Sequence, residues 1–407
     1  MDTLQQIQQL QFEDRSAAEG LLLSFLRETL ALDVVHVELR PLAVSLNSFN
    51  GFLTLGDGRR YFFKTHTEQD NVITEYYNAA MLAEAGYPVI QPVMQSSEAG
   101  KQLLVYEVID SPSVFDLAWE IENERSDAFI PLQLAQEMED QQLFQRYRTT
   151  FAWQEAEDAG KAPIHQLFYH RLTGGRLDRF YGDGTRIRLP QGDFLMSEVR
   201  QVRWTINGHV YHQTIDDLIA VAIHLLEPHQ SVPSIIGHGD AHNGNVFYQS
   251  QHRPPSLLYF DPAFAGRHHP LLDLTKPLFH NVFAMWMYFP QEKDAQTQIQ
   301  VRTDGDHWQV DYDYLLHPVR HMFLNSKTVY VLKPLLEALR QRGWLREDWR
   351  TYLKAALFCC PFLTMNLADS QKFPPEISLL GLCMAVEMGA ESEGKRSLID
   401  QTLDTLR

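Results

Sequence analysis

The chain has 407 residues and carries 35 Lys and Arg against 52 Asp and Glu, which gives a formal net charge of -17. Such a charge repels phosphate backbones and anionic lipid headgroups, so nucleic acid and membrane surfaces are poor candidate partners. With 44% hydrophobic and 21% charged residues, the composition is that of an ordinary globular protein with room for two or three core units.

The cysteines and apolar runs indicate the compartment. Cys359, Cys360 and Cys383 form no paired framework, as expected of buried, reduced thiols. The first residues have neither the basic region nor the apolar core of a signal peptide. The longest apolar run, residues 355–365, is too short to span a bilayer and contains a proline. These features predict a cytoplasmic protein.

The amino-terminal part begins with a helix pattern followed by strand patterns. Apolar residues at helical spacing predict a helix over residues 16–32, and β-branched residues predict a strand over residues 34–45. The polar stretch SLNSFNG at residues 45–51 and the GDG at residues 56–58 flank FLTL and precede RRYFFKTH. Strand-like runs separated by such turn-forming stretches predict a β-meander.

A second helix and two further strands complete this part. The helix is expected over residues 70–85 and is stopped by Gly86. Strand-like runs follow at residues 88–95 and 101–109, joined by a turn. The predicted order up to Ile109 is therefore strands, one helix and strands.

Beyond this point the patterns become long and helical. Helices are expected within residues 131–160 and 164–173, with no strand signal before Thr185. The pair Asn207-Gly208 predicts a hairpin turn between two strands.

The carboxyl-terminal half is also mainly helical. Thr214 and Asp217 form a capping-box pattern that opens a helix, and Asp304-Gly305 predicts another hairpin turn. Later helices are expected near residues 319–342, 348–358 and 377–388. Together the patterns predict an α+β protein with a small β-rich lobe, residues 1–110, and a large helical lobe, residues 111–407.

The segment IGHGDAHNGN, residues 236–245, carries the strongest chemical signal. Phosphoryl transfer needs a carboxylate at the acceptor hydroxyl and hard oxygen ligands for magnesium. Asp240 is the candidate for the acceptor hydroxyl. Asn245 opens the short strand NVFY and Asp261 ends the apolar run LLYF, so both would lie at neighbouring strand ends as magnesium ligands.

This arrangement resembles the aminoglycoside phosphotransferase and choline kinase group of enzymes, which have a protein-kinase-like fold of two lobes. The matching elements are His238-Gly239-Asp240, Asn245, FDPAFAG from Phe260, and Asp273-Leu274-Thr275. By this resemblance residues 236–245 form the catalytic loop and residues 257–266 the metal-binding segment. The resemblance implies that Asp240 is catalytic, that Asn245 and Asp261 bind magnesium, and that Asp273 braces the loop.

The resemblance extends into the first lobe and implies that ATP or GTP is the phosphate donor. Lys64 in the strand YFFKTH matches the phosphate-holding lysine, and Glu75 on the next helix matches its carboxylate partner. SLNSFNG stands where protein kinases have a glycine-rich loop, so its backbone and Ser48 would contact the phosphates. Tyr106 and Val108 would lie in the connection between the lobes, whose backbone could bind adenine.

Several alternatives remain open at this stage. A zinc-dependent hydrolase could use His238, Asp240 and His242 together with His268 or His269. For His238 we favour a structural role, and for His268 and His269 we favour roles as ordinary loop residues. A catalytically silent kinase-like binding protein is a second alternative. A protein kinase is a third, although Gly239 stands where protein kinases have arginine.

The sequence therefore predicts a phosphotransferase that acts on an alcohol group of a small molecule. Its expected partners are a nucleoside triphosphate, magnesium and the acceptor, with neither nucleic acid nor membrane. The acidity of the whole chain favours a cationic acceptor, such as an aminoglycoside, an amino sugar or a choline-like compound.

Overall fold

The computed structural model describes residues 3–40, 48–66, 71–96, 98 and 101–406, with the side chains of residues 48, 66 and 71–77 excluded. Within this part of the chain, no helix combines the length and apolar character needed to cross a membrane.

The amino-terminal lobe is a twisted antiparallel sheet with helices against it. Its five strands lie in the order β1-β2-β3-β5-β4, and α3 connects β3 to the segment before β4. The elements are α1 (Thr3–Glu13), α2 (Arg15–Leu30), β1 (Val34–Leu39), β2 (Ser48–Leu55), β3 (Arg60–His66), α3 (Asn71–Glu84), β4 (Met94–Ser96) and β5 (Leu103–Glu107).

One face of this sheet is covered by the first two helices. Leu22 and Leu26 of α2 are fully buried in a cluster with Val37 of β1 and Leu53 of β2. The Asp14 carboxylate caps α2 by accepting a hydrogen bond from the Ala17 amide at 3.0 Å. Strand β3 lies at the middle of the sheet, where it pairs with both β2 and β5.

The carboxyl-terminal part is mainly helical and contains the larger core. Its helices are α4 (Val114–Glu122), α5 (Phe129–Thr150), α6 (Ala156–Ala159), α7 (Tyr169–Thr173), α8 (Arg176–Tyr181), α9 (Met196–Val199), α10 (Ile215–Leu225), α11 (Pro270–His280), α12 (Met285–Tyr288), α13 (Pro290–Gln296), α14 (Pro318–Lys327), α15 (Lys333–Gln341), α16 (Trp349–Leu363), α17 (Pro375–Gly389) and α18 (Leu398–Asp404). Helices α11, α16 and α17 are buried along most of their length.

Short strands connect these helices. They are β6 (Ala152–Gln154), β7 (Arg186–Leu189), β8 (Gly192–Leu195), β9 (Arg203–Ile206), β10 (His209–Tyr211), β11 (Val232–Gly237), β12 (Val246–Gln249), β13 (Ser256–Tyr259), β14 (Gly266–His268), β15 (Ile299–Asp304), β16 (His307–Tyr312) and β17 (Glu393–Gly394). They form a sheet β15-β16-β9-β10-β17, a sheet β14-β11-β6 and the hairpins β12-β13 and β7-β8.

The hairpin β12-β13 is bonded to chain segments on both of its sides. The amide of Tyr259 donates to the Pro88 carbonyl at 2.7 Å, and the amide of Ile90 donates to the Tyr259 carbonyl at 2.9 Å. On the other side, the amide of Tyr248 donates to the Pro112 carbonyl at 2.9 Å. The hairpin therefore joins the segment after α3 to the segment after β5.

The structure confirms the predicted α+β class, with a small β-rich lobe followed by a large helical one. The predicted meander forms β1, β2 and β3. Asn207 and Gly208 both have positive φ, at 50° and 77°, and make the predicted hairpin turn between β9 and β10. The predicted capping box also forms, with Thr214 and Asp217 bonded reciprocally. The three cysteines are buried free thiols.

Two local predictions were wrong, and one helix was missed. The run at residues 88–95 forms only the short strand β4 and an isolated bridge at Val89, because Pro88 and Pro92 lack the amide hydrogens that a ladder needs. The expected helix over residues 131–160 ends at Thr150 and is followed by β6, whose three residues are too few to show a period. Helix α1 was not predicted.

The carboxyl-terminal helix α18 is held by a buried charge that offers a stability test. Asp400 is fully buried and accepts from Lys354 at 2.5 Å and from Arg350 at 3.1 Å. We expect Asp400→Ala to lower the free energy of unfolding by about 3–5 kcal/mol, because it leaves the Lys354 charge buried and unpaired. Urea unfolding would measure this. Glu391→Ala is the control, because Glu391 is 45% exposed and should change stability by about 1 kcal/mol or less. Equal effects would contradict the argument.

Candidate active site

The candidate catalytic loop starts where β11 ends, and His238 holds its shape. The His238 side chain is buried, and its Nε2 lies 2.9 Å from the Phe260 carbonyl, to which it donates. Its Nδ1 then accepts from the amide of Asp240 at 3.4 Å. This single ring thus connects the loop to the segment after β13, which agrees with the structural role expected for it.

Gly239 and Asp273 fix the next step of the loop. Gly239 has a φ of +80°, and a Cβ at this position would lie 2.3 Å from the Phe264 carbonyl oxygen, so no side chain fits. Its amide donates to Asp273 Oδ1 at 2.6 Å. The Asp273 carboxylate also accepts from His268 Nε2 at 3.0 Å and from the Tyr147 hydroxyl. Asp273 therefore holds the loop against α11 and α5.

The pKa of Asp273 reflects these contacts. Burial favours its neutral form, but the hydrogen bonds from His268, Tyr147 and Gly239 outweigh burial and lower the pKa. Asp273 is therefore ionised at neutral pH, and its negative charge is compensated by donors on three sides.

Asn245 and Asp261 lie at the same end of the hairpin β12-β13. Val246 pairs with Tyr259, and beyond this pair the amide of Phe260 donates to the Asn245 carbonyl at 2.9 Å. The Asn245 side-chain amide donates to the Asp240 carbonyl at 2.9 Å, which leaves its amide oxygen available for a cation. The pairing predicted from two consecutive strand ends therefore forms.

Asp261 adopts a backbone conformation that directs it toward the amino-terminal lobe. Its φ of 55° lies in the left-handed region, which is uncommon outside glycine and is often found at functional sites. Its Oδ1 accepts from Lys64 Nζ at 2.6 Å, although 197 residues separate the two. The Lys64 side chain is only 11% exposed. The ion pair joins β3 to the segment after β13.

Asp240 lies close to two basic side chains. Lys276 Nζ is 3.8 Å and His242 Nε2 is 4.0 Å from its carboxylate oxygens. Its Oδ1 is buried without a hydrogen-bond partner among the described residues. Burial favours the neutral acid, but the charges of Lys276 and Arg171 outweigh it and lower the pKa of Asp240. Asp240 is therefore an ionised carboxylate with an acceptor oxygen to spare.

Lys276 and His280 were not singled out in the sequence. Lys276 is buried on α11, with its Nζ 3.2 Å from His280 Nε2. Burial holds the pKa of His280 well below its ordinary value, so the ring is neutral and accepts from Lys276 through Nε2. Its Nδ1 then carries the proton and donates to the Tyr288 hydroxyl oxygen at 2.8 Å. The spacing of Asp273, Lys276 and His280 places them on one helical face, and this was the available signal.

A cavity of about 220 Å³ lies at the connection between the lobes. Val108 lines it beside the predicted Tyr106. The Tyr106 ring meets the Phe260 ring edge-on at a centroid distance of 5.3 Å. Residues that the sequence reading missed complete the lining: Arg40, Phe52, Phe62, Ile90, Glu107, Ile109 and Phe247. Phe62 precedes Lys64 by two residues, so strand alternation predicts that both face one side.

Two predicted nucleotide contacts fall outside the described part of the chain. Glu75 belongs to α3 and Ser48 begins β2, but neither side chain is among those described. Residues 41–47, which include most of the SLNSFNG stretch, are also outside it. These assignments stay predictions.

The histidines of the zinc alternative are engaged elsewhere. His242 Nδ1 accepts from the Gly244 amide at 3.1 Å, and His269 Nδ1 accepts from the Leu271 amide at 3.2 Å. His268 bonds to Asp273 rather than to Asp240. Among the residues that the structure describes, no group of three His, Cys, Asp or Glu side chains is placed to hold a metal ion.

Comparison with known proteins gives structural similarities only. No protein-family model matches the sequence, and no curated protein sequence matches it. Among solved structures, the amicoumacin kinase hAmiN in a complex with AMP-PNP and Ca²⁺ is 14% identical, with a TM-score of 0.43 over 90% of this chain and 92% of that one.

Two other similar structures are antibiotic phosphotransferases. A thermostable mutant of aminoglycoside phosphotransferase APH(4)-Ia is 11% identical, with a TM-score of 0.48 over 90% of this chain and 98% of that one. The macrolide 2'-phosphotransferase MphH from Brachybacterium faecium is 12% identical, with a TM-score of 0.39 over 91% and 98% of the two chains. At these identities the likeness concerns the fold alone.

The Asp273 contacts lead to a prediction about pH and stability. We expect Asp273→Ala to lower the free energy of unfolding by about 3 kcal/mol at pH 7, because it removes the acceptor for three buried donors. The folded-state pKa lies below the ordinary 3.8, so this contribution is full above pH 3.8 and is lost as the pH falls through the folded-state value. Urea unfolding at pH 7 and at successively lower pH would show the difference between the two proteins shrinking.

Asp306→Ala is the matched control for that measurement. Asp306 pairs with Arg203 at 2.7 Å, but both side chains are more than half exposed. The control should therefore change stability by about 1 kcal/mol or less. A cost for Asp273→Ala that is no larger than that of the control would contradict the bracing role.

Proposed function

We propose that the protein is a small-molecule kinase that transfers the terminal phosphate of ATP or GTP to a hydroxyl group. The contact between Lys64 Nζ and Asp261 Oδ1 at 2.6 Å carries the proposal, because it brings a buried cation of the first lobe to the candidate metal segment of the second. Asp240 and Asn245 adjoin that segment through the hydrogen bonds of the loop. Phosphoryl transfer needs these residue types together.

Each residue has a role in binding or positioning the reactants. Lys64 holds donor phosphates, and the cavity lined by Tyr106 and Val108 takes the base. Asp240 accepts the hydrogen bond of the acceptor hydroxyl and orients its oxygen toward the terminal phosphorus. The new bond joins that oxygen to phosphorus, the bond from phosphorus to the bridging oxygen breaks, and the hydroxyl proton passes to Asp240. A nucleoside diphosphate leaves.

The residues present suit a magnesium ion. Asn245 supplies an amide oxygen and Asp261 a carboxylate, and such hard oxygen donors are those that Mg²⁺ prefers. Magnesium bound there would offset the negative charge of the donor phosphates. The resemblance to aminoglycoside phosphotransferases supports this assignment, as does the solved complex of a kinase of similar fold with AMP-PNP and Ca²⁺.

The proposal is tested by supplying magnesium, ATP or GTP and a pooled library of hydroxylated metabolites and antibiotics. Mass spectrometry would detect a product heavier by one phosphoryl group. A catalytically silent binding protein would bind nucleotide and give no such product. A protein kinase would phosphorylate polypeptide and leave the library unchanged.

Asp240→Asn tests the catalytic assignment. The side chain keeps its size but cannot accept the hydroxyl proton, so we expect kcat to fall about 10²- to 10⁴-fold while nucleotide affinity stays within a fewfold. Steady-state kinetics and calorimetric titration of ATP would measure the two effects. Asp306→Asn, on an exposed surface, is the control and should leave both unchanged. An Asp240→Asn enzyme with kcat within a fewfold of wild type would refute the role.

Asp261→Asn tests the metal assignment by a different readout. Loss of the carboxylate charge should weaken the binding of magnesium and ATP together by about tenfold or more, and Asp240→Asn should weaken it less. Titration of ATP with and without magnesium separates metal-dependent binding from the rest. If the two variants bind magnesium-ATP equally well, Asp261 is not a metal ligand.

A further inference from the structure

Two arginines share the surroundings of Asp240 with Lys276. Arg171 of α7 lies near enough for its charge to lower the pKa of Asp240, and Arg176 at the start of α8 lies near enough to respond to Arg171. Both side chains are partly buried. With Lys276, whose pKa is lowered by burial and raised by the Asp240 charge, they give three basic side chains against the one carboxylate of Asp240. Basic groups therefore outnumber the carboxylate here, in a chain whose net charge is -17.

Neither arginine has a carboxylate partner within the described part of the chain. Arg171 Nη1 donates to Thr364 Oγ1 at 3.4 Å, and its Nε is buried without a hydrogen-bond partner among the described residues. Arg176 Nη1 donates to the Leu363 carbonyl at 3.3 Å. Burial and the mutual repulsion of the arginines lower the pKa of Arg176 to about 10. The N–H groups of the two arginines thus make only long hydrogen bonds to the protein.

Other cations that this chain buries are paired closely with carboxylates. Lys327 lies 2.5 Å from Asp140, and Lys354 lies 2.5 Å from Asp400. Further examples are Lys293 and Arg320, at 2.6 and 2.8 Å from Glu122, and Arg146, which pairs with Glu139. Because an unpaired buried charge costs several kcal/mol, close pairing is what stability alone would select. The cations around Asp240 depart from this pattern, and a ligand anion would restore it.

The position of the arginines separates them from the candidate nucleotide side. Helix α7 packs on α10 and α16, and helix α8 packs on α16. Lys64 and Asp261 belong to β3 and to the segment after β13. The acceptor must reach Asp240 with its hydroxyl, so a second group on the same molecule can meet Arg171 and Arg176 while the hydroxyl meets Asp240.

We infer that the acceptor carries an anionic group, a carboxylate or a phosphate ester, and that Arg171 and Arg176 bind it. This inference rests on the proposed kinase function. Guanidinium groups present paired N–H donors that match the oxygens of both kinds of anion. The same cations repel amino sugars, aminoglycosides and choline-like compounds, so the local charge opposes the cationic acceptor that the net charge of the chain suggests.

Matched acceptors test the inference through activity. With magnesium and ATP, the pairs are D-gluconate against D-glucose, D-glycerate against glycerol and D-glucose 6-phosphate against D-glucose, with choline and an aminoglycoside as cations. We expect kcat/KM for the anionic member to exceed that of its neutral partner by about 100-fold or more. Gluconate and glucose 6-phosphate distinguish a carboxylate from a phosphate ester. A neutral or cationic acceptor used as well as or better than every anion would overturn the inference.

Variants assign the preference to particular residues. Arg171→Gln and Arg176→Gln should each lower kcat/KM for the preferred anion about 30- to 100-fold more than they lower it for its neutral partner, and Arg171→Lys should recover part of the loss. Arg179→Gln is the control, because Arg179 is exposed on α8 and lies against the Phe180 ring. An equal loss in Arg179→Gln, or none in the other two, would refute the assignment.

A binding measurement decides the matter even when no acceptor in the panel is phosphorylated. With magnesium and AMP-PNP present to occupy the nucleotide side, sodium sulfate is compared with sodium chloride at equal ionic strength in thermal unfolding. We expect a larger sulfate-dependent rise in Tm for wild type and Arg179→Gln than for Arg171→Gln and Arg176→Gln. Equal rises in all four proteins would overturn the anion site.

The two proposals fail in different ways. If sulfate still raises the Tm through the two arginines but no acceptor is phosphorylated, the kinase function is contradicted and the anion site stands. Transfer that depends on Asp240 but ignores the charge of the acceptor would do the reverse.

Discussion

The candidate active site depends on the hydrogen bonds that the Asp273 carboxylate accepts. It lies in the first turn of α11 and holds the amide of Gly239 at 2.6 Å, while His268 and the Tyr147 hydroxyl donate to it from β14 and α5. A loop that turns through a glycine with a φ of +80° has little conformational preference of its own. The fixed, ionised carboxylate supplies the constraint, and Asp240 takes its position from it.

The net charge of the chain differs in sign from the basic groups around Asp240. The chain as a whole is strongly acidic, yet the buried surroundings of Asp240 contain Lys276 and Arg171. Long-range potential falls off within about a Debye length in salt, whereas short contacts in a partly buried cleft are screened far less. Net charge therefore informs about solubility and distant partners, and the identity of a bound small molecule depends on the few groups within reach.

The sequence predicted those parts of the site that lie close together along the chain. The spacing of Asp240, Asn245 and Asp261 was enough to predict that they lie close together, because a tight loop and a hairpin join them. The residues within such turns largely determine their conformation. Lys64 was identified by resemblance, but its 2.6 Å contact with Asp261 depends on how the two lobes pack. Arg171 carries no pattern of its own, since its relation to Asp240 arises from the packing of elements that are distant in the sequence.

Errors in the predicted fold have a similar origin. Helices with one apolar face, such as α10 and α15, follow from periodicity. Strand β6 exists because residues 152–154 pair with β11, and three residues hold no readable period. The strand-like run before β4 is interrupted because Pro88 and Pro92 have no amide hydrogen to donate to a neighbouring strand. Pro88 contributes its carbonyl instead, to the amide of Tyr259.

The backbone bonds on both sides of the hairpin β12-β13 limit how the two lobes can move. Opening the cleft on the Pro88 side would break the bonds that Tyr259 makes with Pro88 and Ile90, and each lost pair must be replaced by water. Rotation about the connection after β5 is likewise opposed by the bond from Tyr248 to Pro112. Each of these three bonds contributes about 0.5–1.5 kcal/mol, so the hairpin restrains relative movement of the lobes, and closure around a ligand would have to keep or replace all three.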